Sequence, residues 1–154
     1  MAKEMKEITA EAVQKLREMT SAGVMDCRKA LIEADGDMTK AAAIIRERGL
    51  SKVEKRADRE TGAGLVHSYV HNGRIGVMVE LRAETDFVVR SEPFQKLAHD
   101  LAMQISAMDP KSLDELYTQP YIKDESRTVK DLVTDVIAKV GENVTVNQFY
   151  RIEV

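Results

Sequence analysis

Apolar residues recur at spacings of three and four through the first fifty positions, which predicts short amphipathic helices. Thr9 is a good N-cap for the first helix, and Ile8 and Val13 stand at the two positions of a hydrophobic staple. Val13, Leu16 and Met19 form its apolar face, and "TSAG" breaks it. A second helix is expected from Met25 to Ala34, with Cys27, Ala30, Leu31 and Ala34 on one side. "DGD" ends it and offers Asp37 as the cap of a third helix carrying Ala41, Ile44 and Ile45. That helix is expected to stop at Gly49, with Leu50 making the hydrophobic contact of a Schellman motif. Three short helices in fifty residues make a small bundle with a marginal core, of a size suited to docking.

After "SKVEKRADRET" and "TGAG", the period changes to two. "LVHSYVHNGRIGVMVELRA" reads as a β-hairpin, because Asn72-Gly73 supplies the positive φ angles of a type I′ turn. Ile75, Val77, Val79, Leu81 and Ala83 then alternate with mostly polar residues, the pattern of a strand with one buried face. The helical period returns from Phe94 through Leu97, Ala98, Leu101, Ala102, Ile105 and Met108, and ends before Pro110. Residues 109–127 read as an irregular connection with one short helical turn. Val129, Leu132, Val133, Val136, Ile137 and Val140 describe a further helix stopped by Gly141, and "ENVTVNQFYRIEV" closes as a strand. The fold class is α+β: a three-helix bundle over residues 1–50, a charged linker over 51–63, and a unit over 64–154. In that unit a three-stranded antiparallel sheet is covered by helices. A lone hairpin would be marginal, so the third strand and the helices are required.

Composition narrows the function more than it names one. Charged residues make up 32% of the 154 positions but the net charge is only −3, so no strong field favours nucleic acid or an anionic membrane. Arg46, Arg48, Lys52, Lys55, Arg56 and Arg59 are interleaved with Glu47, Glu54, Asp58 and Glu60, so a solvated segment is expected rather than an RNA contact. No apolar run approaches a membrane span, and "MAKEMKEITAEAV" lacks the features of a signal peptide or presequence, so a cytoplasmic protein is expected. Cys27 is the single cysteine; it reads as a small core residue and excludes an internal disulfide.

The motifs of phosphate-binding loops, zinc proteases and nucleophile elbows are absent, and enzymatic chemistry is not expected. His67 and His71 share a strand face and would need a third ligand to hold a metal; exposed strand histidines are the default. "ETDFVVRSEPF" leaves a choice open. Thr85 can cap a helix starting at Asp86, where the carboxylate complements the helix dipole. Phe87 lies seven residues before Phe94, so spacing alone puts it on the core face. The alternative is that Asp86 and Phe87 are presented to a partner. Val24 and Met25, in "SAGVMD", carry the same ambiguity between core and binding surface.

Three segments together resemble the elongation factor Ts family: "LREMTSAGVMDCRKALIEADGDMTKAAAIIRERG", "RIGVMVELRAETDFVVRSEPFQKLAHDLAMQI" and "VIAKVGENVTVNQFYRIEV". They appear in the family's order and cover most of the chain, with residues 109–127 matching least. The chain resembles a short form, with one core repeat and little or none of the coiled-coil insertion. The resemblance implies a guanine nucleotide exchange factor, without covalent chemistry and without a cofactor. It would bind GDP-loaded elongation factor Tu, promote release of GDP and Mg²⁺, and leave when GTP enters. It implies that the bundle is similar to ubiquitin-associated domains and docks on Tu through Leu16, Val24 and Met25. It further implies that Thr85, Asp86, Phe87 and Val88 form the TDFV element pushed toward the magnesium and phosphate site, and that His71 is an additional contact. A short form can compensate for its single core repeat by dimerising into a two-plus-two complex. Tyr150 stands near the C-terminal end where a cysteine would allow a crosslink, so such a dimer is expected to be noncovalent. The alternative is a ubiquitin-associated-like binding module on an α+β scaffold that leaves nucleotide alone.

Overall fold

A computed structural model describes residues 8–154, so the first seven positions of the expected helical module lie outside the described residues. The described chain separates into two compact units, one through Glu54 and one from Lys55.

In the first unit α1 spans Ala10–Thr20, α2 Val24–Glu33 and α3 Met38–Glu54. Thr9 caps α1, its hydroxyl accepting the Ala12 N–H at 3.2 Å, and Ile8 packs against the cluster that holds Val13. Leu16, Cys27, Ala30, Leu31 and Ala41 are fully buried at the centre of the three helices. The Schellman stop expected at Gly49 lies instead at the end of α2. Asp35 adopts φ 51°, Gly36 N–H donates to Leu31 O, and Asp35 N–H donates to Ile32 O. Asp37 then caps α3, accepting the Lys40 N–H at 3.0 Å. The third helix runs through Gly49 to Glu54, so the first residues assigned to the linker are its last turn. A helical glycine costs only about 1 kcal/mol. Here Arg48 pairs with Glu33, Lys52 lies 3.3 Å from Asp26, and no proline enforces a stop.

The second unit opens with β1 (Ala63–His71) and β2 (Ile75–Ala83). Asn72 and Gly73 both have positive φ, 50° and 67°, and Arg74 N–H closes the turn on His71 O. Two helices follow, α4 (Asp86–Val89) and α5 (Glu92–Met108). The connection expected to be irregular is ordered: α6 (Leu113–Thr118) leads into a hairpin of β3 (Pro120–Tyr121) and β4 (Asp124–Thr128). Its helix start was readable in "SLDE", where Ser112 Oγ accepts the Glu115 N–H at 3.1 Å and Glu115 Oε2 accepts the Lys111 N–H. Buried Gln104 fixes this segment to α5, donating to Pro120 O and accepting the Ile122 N–H.

Helix α7 (Val129–Val140) begins in a capping box between Thr128 and Asp131 and ends where Gly141 takes φ 77°. The chain closes with β5 (Val144–Glu153). The sheet order is β1-β2-β5, all antiparallel, with a register shift between Glu80 and Leu81. Val77, Val79, Leu81 and Ala83 turn toward Phe94, Leu97, Leu101 and Ile105 of α5, and this packing forms the core. The expected α+β class with a three-stranded antiparallel sheet under helices is the observed one. No helix among the described residues is long and apolar enough to cross a membrane.

Candidate functional site

Phe87 is 86% exposed, and Phe94, seven residues later, is 0% exposed. Spacing put them on one face because it assumed one helix. Instead α4 is a single turn, closed at Arg90 and Ser91, and the chain changes direction before α5 starts at Glu92. A break between the two aromatics removes the seven-residue relation.

A four-residue helix cannot hold itself together, because its nucleation costs more than one turn returns. Side chains secure both ends of this one. Thr85 is the N-cap, its Oγ accepting the Val88 N–H at 3.4 Å. At the other end the Ser91 hydroxyl donates to Val88 O at 2.6 Å, and the Gln95 amide donates to Val89 O at 2.7 Å. Val88 and Val89 are buried and anchor the inner side, while Thr85, Asp86 and Phe87 face outward. The family resemblance placed Val88 with Thr85, Asp86 and Phe87 in one partner-facing element; here Val88 is buried beneath that turn.

A second loop meets Thr85 from behind. Thr85 N–H donates to Glu142 Oε2 at 3.0 Å, and its hydroxyl donates to Glu142 Oε1 at 2.7 Å. Asn143 N–H donates to Glu84 Oε1 at 2.7 Å. The buried Asn143 amide donates to Ala57 O and Arg59 O, and Arg59 approaches Glu84 at 3.6 Å. Residues 57–59, expected to be part of a tether, are therefore tied to this site. Glu84, Glu142 and Asn143 carry no sequence motif of their own; "GEN" after an apolar helix marks only a turn.

In the first unit Val24 and Met25 are exposed side by side at the start of α2, with Met19 exposed at the end of α1. Leu16 is fully buried and cannot be a surface contact. The three-four spacing that put Leu16 on the apolar face of α1 put it in the core.

His67 and His71 share one strand face, as their spacing predicts, but they are engaged separately on either side of Tyr69. His67 turns to α5, with its Nε2 3.2 Å from His99 Nδ1. Burial and the neighbouring His99 hold His67 below the ordinary imidazole range. His71 is exposed, its Nδ1 2.9 Å from the Tyr69 hydroxyl. Among the described residues no group of three histidine, cysteine or acidic side chains is placed to hold a metal.

Comparison with known proteins identifies the family. The family model described as Elongation factor TS matches residues 84–154, which begin at the TDFV turn. A protein named elongation factor Ts from Oleidesulfovibrio alaskensis is 43% identical, covering 95% of this chain and 97% of its own. One from Thermotoga maritima is 40% identical over 96% of both chains. One from Finegoldia magna is 37% identical, covering 97% of this chain and 91% of its own. The first alignment has 192 positions against a chain of 154 residues, so at least 38 positions of that relative have no counterpart here.

Proposed function

The chain belongs to the elongation factor Ts family of translation elongation factors, and from that premise we propose that it is the guanine nucleotide exchange factor of elongation factor Tu. It binds GDP-loaded Tu, weakens the hold on GDP and Mg²⁺ by inserting Asp86 and Phe87, and leaves when GTP binds. The observation that carries this reading is Phe87: a large apolar ring 86% exposed on a turn whose backbone is fixed at both ends. Exposure costs stability, and a rigid mount gives that cost a use, because little conformational entropy is lost when the ring enters a partner.

The chemistry suits the task. GDP in such a GTPase is held by backbone amides, a lysine and magnesium. A wedge of aromatic carbon can part the segments that carry those groups, and an adjacent carboxylate can compete for their cations. Neither step makes or breaks a covalent bond. By linkage, the factor by which the exchange factor weakens GDP binding equals the factor by which GDP weakens the exchange factor.

Val24 and Met25 are proposed as the docking contacts of the helical unit, and His71, on the hairpin end of β1, as an additional contact. Leu16 is left out because it is buried. We also propose a noncovalent homodimer. Val66, Val70, Met78, Tyr150 and Ile152 are all exposed, and Met78 pairs with Ser68 on one side and Tyr150 on the other, so they share the sheet face turned away from the helices. A second copy would cover this apolar face. Light scattering that finds only monomer at micromolar concentration, free and Tu-bound, removes the dimer.

The deciding experiment is stopped-flow release of fluorescent GDP from Tu, with wild type and the Asp86→Ala/Phe87→Ala variant. Acceleration that disappears in the folded double variant is expected. Binding to Tu without any acceleration by wild type would leave a docking module and end the exchange reading.

A further inference from the structure

Ala83 and Val144 are the last partners of the β2–β5 ladder. Beyond them the two segments continue to hold each other, but through side chains. Glu84 accepts the Asn143 N–H, and Glu142 accepts both the N–H and the hydroxyl hydrogen of Thr85. The exchange is reciprocal, two consecutive residues on each side. Glu142 is itself aimed by the end of α7, where Gly141 takes a left-handed conformation and donates its N–H to Ile137 O.

The Thr85 hydroxyl is the connecting atom group. It donates to Glu142 and accepts from Val88 N–H, so its hydrogen points toward the carboxylate and a lone pair points into α4. Without Glu142 the hydroxyl rotates and the Thr85 amide loses its acceptor. A one-turn helix has no cooperative reserve to make up the loss. Its exposed apolar residue then has no fixed direction.

We propose that Glu142 is a positioning residue for the Asp86–Phe87 element, holding α4 formed through Thr85 so that Phe87 projects in one orientation. The assignment rests on the reading of that element as the part that acts on Tu. Glu142 does not touch the nucleotide; it determines where the ring stands when the partner arrives.

The test uses the full chain labelled with 4-fluorophenylalanine. There are three phenylalanines, so fluorine NMR gives one signal each for Phe87, Phe94 and Phe149. In Glu142→Ala the Phe87 signal is expected to move or broaden while the other two hold. In the GDP-release assay the limiting rate should fall about tenfold, with the half-saturating concentration within about twofold of wild type, as for loss of one charge-assisted hydrogen bond. Glu142→Gln keeps an acceptor for the Thr85 N–H and should recover part of both readouts. An unchanged Phe87 signal in folded Glu142→Ala overturns the proposal. So does a collapse of all three signals together with the melting temperature, which would make Glu142 only a core support. If wild type does not speed GDP release, the exchange reading fails, and the fluorine signals still decide whether Glu142 positions Phe87.

Discussion

Truncating either of two phenylalanines seven residues apart should have opposite consequences. Phe87 is 86% exposed, so only about 14% of its surface is out of water. A fully buried phenylalanine removes roughly 200 Å² from solvent. Phe87→Ala therefore gives up about 30 Å², or about 0.7 kcal/mol at roughly 25 cal/mol per Å². Alanine's better helix propensity returns about 0.5 kcal/mol. The net change is near zero, and the melting temperature should move by no more than about 2 °C. Phe94→Ala empties a site that is 0% exposed and should cost about 3–5 kcal/mol. In a unit of this size that is a fall of more than about 10 °C. Thermal and urea unfolding measure both variants, and GDP release from Tu is read on whichever remains folded. Phe87→Ala should be folded and slow. Destabilisation comparable to Phe94→Ala would refute the exposed placement of the ring. A stable Phe87→Ala with undiminished exchange would refute its role.

Other tests address separate parts of the molecule. Leu16→Ala should cost the helical unit about 2–5 kcal/mol, whereas Met25→Ala should leave its melting unchanged and weaken Tu binding by about tenfold or more; isothermal titration and circular dichroism separate the two. Gly64→Ala should destabilise the second unit by about 1–3 kcal/mol, because a Cβ there would stand 2.7 Å from Leu81 O; an unchanged urea midpoint would contradict the close strand contact. Acidification should destabilise the fold in two steps. His67 lies below its ordinary 6.5, so the unfolded state takes up its proton first and stability is lost as pH falls below about 6.5. Burial raises Asp100, but the bonded Lys123 and Lys96 outweigh it and leave it below 3.8, so its contribution is lost as pH falls from about 3.8 through its lowered value. Melting curves of His67→Ala should lack the first step, and its persistence would exclude His67 as the source.

The sequence by itself determined most of the element types and many of their ends, but not the β3–β4 hairpin or the break between α4 and α5. Period-two and period-three-to-four apolar runs, Asn72-Gly73, Thr9 and Gly141 each act through neighbouring residues, so local order is enough to read them. It also carried the family's motifs, with the TDFV turn among them. Gly49 misled, since a glycine's stop signal is worth only about 1 kcal/mol and helix packing in the first unit outweighed it. Tertiary structure decided which apolar residues are inside. Leu16, Val24, Met25, Phe87 and Phe94 look alike as letters, but only the break after Val89 and the packing of three helices separate the buried from the presented. It also decided what supports the candidate site. Glu142 and Thr85 are 57 positions apart, and their hydrogen bonds exist only because antiparallel pairing of β2 with β5 brings the two turns together. A carboxylate in a turn carries no sign of its acceptor role in the chain. The sheet register places the donors in front of it.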